Sequence, residues 1–149
     1  MEKKMSDVLL GMTGTGLTRP PGELNPLLLA YLGDAVYEVF VRYHLVAKGM
    51  LRPRDLQREA TRYVSAVAQA KAGRQIESFL TEEEMNILKR GRNAKSGSIP
   101  KNTKISDYRY STGLEALIGY LYASGNEQRL QEIMEQLLTH VEKGKAQDE

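Results

Sequence analysis

Apolar residues recur along this chain at spacings of three and four, and the stretches between them carry helix punctuation. The first stretch is nearly continuous: Leu27-Leu28-Leu29-Ala30-Tyr31-Leu32-Gly33-Asp34-Ala35-Val36-Tyr37. Asn25 precedes it as an N-cap with Pro26 at the first helical position, and Gly49 closes it after Lys48. A second helix is predicted from Pro53 towards Gly73, with Leu56, Ala60, Tyr63, Val64, Val67 and Ala70 on one stripe. Thr81 and Glu84 have capping-box spacing for a third helix, which should end near Gly91. Residues 91 to 105 read as a long polar loop. Ser106 or Asp107 is placed to cap a helix that contains the run Leu114 to Tyr122 and ends at Gly125. Asn126 then caps a last amphipathic helix that runs to about Glu142. No segment alternates in the manner of a strand, so an all-α fold is predicted. Residues 1–22, rich in Gly, Thr and Pro, read as a flexible tail; 23–143 form the folded domain, and 144–149 a disordered end.

At 149 residues and 41% apolar content, the chain fits one domain with a real core. It has no cysteine, which excludes disulfides and thiolate metal sites and suits a reducing cytoplasm. No apolar run approaches membrane-spanning length, and the three-residue apolar run near the start is too short for a secretory signal. A soluble intracellular protein is expected.

Two residues violate the apolar pattern. Asp34 and Glu115 each stand in a run that should bury leucines, and an isolated ionised carboxylate in such surroundings costs several kcal/mol. Each has glycine nearby, at Gly33, Gly113 and Gly119, where a helix interior loses about 1 kcal/mol relative to alanine unless a backbone must approach closely. Two such anomalies suggest one shared site bridged by a hard divalent cation such as Mg²⁺. The plainer alternative pairs Asp34 with an arginine such as Arg42 or Arg109 and leaves Glu115 on a narrow polar strip.

Leu32-Gly33-Asp34-Ala35-Val36 resembles the signature helix of the ribonuclease III catalytic domain, and Glu115-Ala116-Leu117-Ile118-Gly119 is similar to that family's second motif. The likeness spans roughly residues 24 to 142 and leaves no segment for the double-stranded-RNA-binding domain that usually follows. It is therefore nearest to the stand-alone subfamily called Mini-ribonuclease III. The resemblance implies an endonuclease-domain helical fold, a two-fold homodimer built on the signature helices, and Asp34 and Glu115 as catalytic Mg²⁺ ligands. Mn²⁺ is expected to substitute. The family's other two acidic positions are Ala30 and Thr112 here, and its further upstream glutamate is Leu27. The reduced set favours one tightly held ion per site, with any second ion recruited by RNA phosphate. Glu38 is expected as an ion-pair partner and Asp107 as a helix cap.

The implied activity is Mg²⁺-dependent cleavage of double-stranded RNA, leaving 5′-phosphate, 3′-hydroxyl and a short 3′ overhang. The implied substrate is the precursor of large-subunit (23S) ribosomal RNA, and a ribosomal protein is a possible presenter of it. Net charge is only +2, but residues 89 to 109 hold seven cations against Asp107 alone. Arg92, Lys95, Lys101 and Lys104 in this stretch, and Arg54, Arg58 and Arg62 every fourth residue on the second helix, are the candidate RNA-binding residues. Leu28, Tyr31, Leu32 and Ala35 form a candidate self-complementary dimer seam, with Gly33 letting the two backbones approach. Two other readings stand beside this one. The first is a catalytically inactive domain of the same fold that binds structured RNA or a ribosomal partner. The second is an all-α nucleotide hydrolase, although its acidic cluster, Glu82-Glu83-Glu84, is better explained as a helix N-terminus.

Overall fold

Every turn of the segment from Tyr110 to Leu121 buries something, because its apolar residues are not confined to one stripe. In the computed structural model, which describes residues 16–49, 52–95 and 97–148, this segment is the central helix of an all-helical domain. In chain order the helices are α1 (Pro26–Ala47), α2 (Pro53–Val64), α3 (Ala66–Gln75), α4 (Glu82–Asn93), α5 (Ile105–Ala123) and α6 (Glu127–Asp148). Short 3₁₀ turns stand at Pro21–Glu23 and Glu77–Phe79. Helix α5 is in the middle, packed by α1, α3, α4 and α6. Leu114, Leu117 and Ile118 on it are fully buried, each contributing about 2 kcal/mol by leaving water. A helix apolar on all sides is stable only in such a place.

Close contact at two crossings depends on glycine. A Cβ built on Gly33 of α1 would stand 1.7 Å from the Glu115 carbonyl oxygen, and one on Gly119 of α5 would stand 2.0 Å from the Leu29 carbonyl oxygen. The main chains of α1 and α5 therefore touch directly. At the second crossing, a Cβ on Gly113 would lie 2.4 Å from the Leu88 carbonyl oxygen of α4. Gly33 thus faces α5 inside the protomer, which corrects its expected place on a dimer seam.

The caps read from the sequence form at Asn25, whose Oδ1 accepts from Leu27 N at 2.9 Å, and at the Thr81–Glu84 capping box. Glu84 is also gripped by Arg129 of α6, whose Nε donates to it at 2.7 Å and whose guanidinium covers the Phe79 ring. Four boundaries differ from expectation. The single helix over 53–73 is two, broken at Ser65, which holds an extended conformation and accepts from Ala68 N at 3.2 Å. A serine side chain offers the backbone this alternative to the helix, and the break leaves Val67 exposed instead of on the buried stripe. Helix α4 runs two residues past Gly91, because that glycine serves packing against Gly113 and Ala116 and is not a cap. Helix α5 starts at Ile105 with no side-chain cap, and Asp107 instead accepts from Arg74 at 3.0 Å. Helix α6 continues to Asp148, past the boundary placed at 143. Its one interruption, Gly144, costs about 1 kcal/mol in a helix interior, which a long packed helix tolerates. Residues 1–15 of the expected tail lie outside the described residues; 16–20 carry no helix or strand. Among the described residues no helix is long and apolar enough to cross a membrane.

A methyl group at the α1–α5 crossing has nowhere to go. Gly119→Ala should lower stability by about 3 kcal/mol in denaturant unfolding. Gly97→Ala, in open space, should change it by less than about 0.5 kcal/mol.

Candidate active site

The Gly33–Gly119 crossing places Asp34 on α1 beside Glu115 on α5. Asp34 is exposed at the surface, whereas Glu115 is partly buried between fully buried Leu114 and Ala116. The two carboxyl groups lie within hydrogen-bonding reach, and such a bond forms only if one of them carries a proton. Burial first, then that bond and the negative charge of Asp34, push the Glu115 carboxyl up to about 9. Glu38, one turn beyond Asp34, adds negative charge to the same point while binding Arg42 at 2.8 Å. Its expected role as an ion-pair partner is what the structure shows. Arg42 is thereby committed to Glu38, and among the described residues no arginine is paired with Asp34.

The two positions where the resembled family carries further carboxylates are spent on packing. Ala30 is buried in a small apolar cluster with Leu29 and Ala116, and Thr112 donates its hydroxyl to the Tyr108 carbonyl at 3.1 Å. Leu27, at the third such position, is partly buried. Among the described residues no group of three or more His, Asp or Glu side chains is arranged around a common metal position. The donor set is therefore two carboxylates held together against their mutual repulsion, an arrangement a hard divalent cation relieves. Mg²⁺ suits such a set, because it keeps several waters and takes few protein oxygens.

The basic candidates fall into two places. Arg92, at the end of α4, is partly buried, and Lys95, Lys101 and Lys104 are exposed on the segment that joins α4 to α5. Within that segment Asn102 takes φ 67°, a left-handed turn that asparagine tolerates. Arg54, Arg58 and Arg62 are exposed on α2, where Arg58 pairs with Asp55 at 2.9 Å and Arg62 with Glu59 at 3.7 Å. This stripe is partly neutralised, and α2 packs on α1, α3 and α6, away from the crossing.

Of the seam residues, Leu28, Tyr31 and Ala35 are exposed, while Leu32 is turned partly into the core. Tyr31 is 85% exposed, and the stripe continues at helical spacing through Val39, Tyr43 and Val46, each more than 60% exposed. These three were missed, although their spacing of four, four and three from Ala35 was visible in the sequence. Also missed was a polar cluster that fastens α6 to α1 and α2. There Glu142 accepts from His44, from Lys48 at 3.1 Å and from the Tyr63 hydroxyl at 3.4 Å.

The family model described as "Ribonuclease III domain" matches residues 27–126. The chain is 57% identical over 126 residues to the Mini-ribonuclease 3 of Brevibacillus brevis, covering 85% of this chain and 94% of that one. It is 48% identical over 124 residues to the Mini-ribonuclease 3 of Symbiobacterium thermophilum, covering 83% and 95%. Among solved structures it is similar to a Fusobacterium nucleatum protein, with a TM-score of 0.72 and 28% identity, covering 79% of this chain and 94% of that one.

The raised Glu115 carboxyl sets a pH dependence. Between about 4.5, its ordinary value, and about 9 the folded metal-free protein holds a proton that the unfolded chain has lost. Stability should therefore fall as pH rises through this window. Glu115→Gln, neutral throughout, should escape the fall, so its melting temperature should exceed the wild type's by a margin that grows from pH 5 to pH 9. Parallel melting curves would contradict the paired-carboxyl geometry.

Proposed function

The chain belongs to the ribonuclease III family, and from that premise we propose that it is an endoribonuclease that uses the Asp34–Glu115 pair to cut double-stranded RNA. The observation that carries this reading is the enforced proximity of two carboxyl groups that would repel each other if both were ionised, on helices whose other residues are chosen for packing. A structural domain gains nothing by burying Glu115 against Asp34. Asp34 and Glu115 would hold one Mg²⁺, or Mn²⁺ in its place, and the ion supplies Lewis-acid activation of water and neutralises charge at the scissile phosphate. The protein's own part is positional. Asp34, at the surface, presents its oxygens to the solvent side where a duplex can reach, and Glu115 closes the site from within. Glu38 stays one turn away on Arg42, so it adds negative charge without crowding the pair.

Duplex RNA is recognised by shape, 2′-hydroxyls and phosphates, so cationic surfaces suffice and no base-reading pattern is needed. Arg92, Lys95, Lys101 and Lys104 lie on the segment that leads into the Glu115 helix and are assigned to phosphate contact. Arg54, Arg58 and Arg62 offer a second, weaker surface, since two of them already hold acidic partners.

A single site cuts one strand. The exposed stripe Leu28, Tyr31, Ala35, Val39, Tyr43 and Val46 supplies the second site by pairing α1 with α1 of another copy about a two-fold axis. Large apolar side chains in one continuous row mark an interaction surface in preference to a solvated one. Leu32 contributes at the edge of this seam, its inner side being held by the core. The natural substrate is the precursor of large-subunit ribosomal RNA in the cytoplasm, and a ribosomal protein is a candidate to present it.

Asp34→Asn should abolish Mg²⁺-dependent cutting of a long duplex RNA, a loss of at least about 100-fold, because removing the exposed member of the pair removes an anionic ligand. The variant should still sediment at twice the 16.7 kDa chain mass. Full activity in Asp34→Asn would exclude it from the site.

A further inference from the structure

Three guanidinium groups from three different helices meet in a cleft of about 620 Å³ at the far end of α5 from Gly119. Arg74 comes from α3, Arg92 from α4 and Arg109 from α5, and Glu77, Ser106 and Tyr110 also line it. Like charges gathered in one concavity repel unless they serve an anion, and the acids here do not answer all three. Asp107 is taken by Arg74, whose guanidinium also lies over the Tyr110 ring at 4.8 Å. Glu77 accepts from the Tyr110 hydroxyl at 3.1 Å. Arg92 donates through Nε to its neighbour Asn93 at 3.4 Å, a neutral partner. Arg109 is exposed and makes no ion pair among the described residues. One turn further along α5 stands Thr112, neutral and bonded to the Tyr108 carbonyl, then Gly113, so the helix offers Arg109 no acid at i+3 or i+4.

We propose that this cleft is a phosphate-binding subsite for the RNA backbone, with Arg109 as its principal contact and Arg92 and Arg74 as its walls. The assignment rests on the duplex-cutting reading above and extends it by a place along the strand. Arg109 precedes Glu115 by six residues, a rise of about 9 Å along α5. Six residues also turn about 120° around the helix, so a phosphate in the cleft lies off the cut bond, on a neighbouring stretch of the strand. Guanidinium suits the task, since its planar fork takes two phosphate oxygens at once. Held there, the strand is aligned along α5, so Arg109 is a positioning residue and not a catalytic one.

The test uses the full-length protein in chelator, so that nothing is cut, and short duplexes with a mapped cleavage site. Each duplex carries one neutral methylphosphonate at a different position, and binding is followed by fluorescence anisotropy over a range of salt. Wild type should lose about 10-fold in affinity when one particular phosphate away from the cut bond is neutralised. Arg109→Ala should bind the unmodified duplex about 10-fold more weakly, with the slope of log affinity against log salt reduced by about 0.9. It should lose nothing further at that same phosphate. Arg109→Lys, which keeps the charge, should recover most of the salt slope. Arg109 makes no ion pair or side-chain hydrogen bond among the described residues, so the alanine variant should melt with the wild type. A wild-type salt slope in Arg109→Ala, or an undiminished methylphosphonate penalty, would overturn the cleft while leaving the cutting reading intact. A wild type that binds no duplex at all would overturn both.

Discussion

Where α1 and α5 cross, main chain rests on main chain, and the rest of the molecule is arranged around that contact. Gly33 and Gly119 remove the two side chains that would hold the helices apart, and their carbonyl neighbours fill the space. Helices that close bring residues beside the crossing within reach of each other. Asp34 adjoins Gly33, and Glu115 lies one turn before Gly119, so the contact that stabilises the core also forces the two carboxyl groups together. Burial of Glu115 first, and then its closeness to Asp34, raise its carboxyl well above the usual carboxylate range.

This coupling would let two acids serve the proposed cation site. Here the backbone contact supplies the proximity. Ala30 and Thr112 then become packing and hydrogen-bonding residues. The absent acids also shape the surroundings. With Thr112 neutral, Arg109 has no acidic partner one turn along its own helix, and the end of α5 stays cationic next to an anionic centre. The helix thus presents acid at its middle and base at its start.

Much of this could be read from residues because it was local. Asp34 and Glu115 stood out against their own neighbours, and Asn25, Thr81 and Glu84 declared helix starts through bonds that span three residues. What could not be read depended on distant partners. Gly33 looked like an element of a subunit seam, but which side of a helix faces its own core is decided by α5, more than 80 residues later. Gly91 looked like a stop signal and proved to be a packing surface for Gly113. The break at Ser65 reflects a choice between two hydrogen-bonding schemes that propensity leaves balanced. Arg74 entered no pattern at all, because its partners Asp107 and Tyr110 lie on another helix.

If the α1–α5 crossing builds a cation site from Asp34 and Glu115, calorimetric titration of Mn²⁺ into the protein at pH 7 will show it. Repeating the titration in buffers of different ionisation enthalpy counts the protons released. Wild type should take up one ion per chain and release close to one proton, the one held on Glu115, and Glu115→Gln should bind far more weakly and release none. Equal affinity in the glutamine variant, or wild-type binding without proton release, would contradict it.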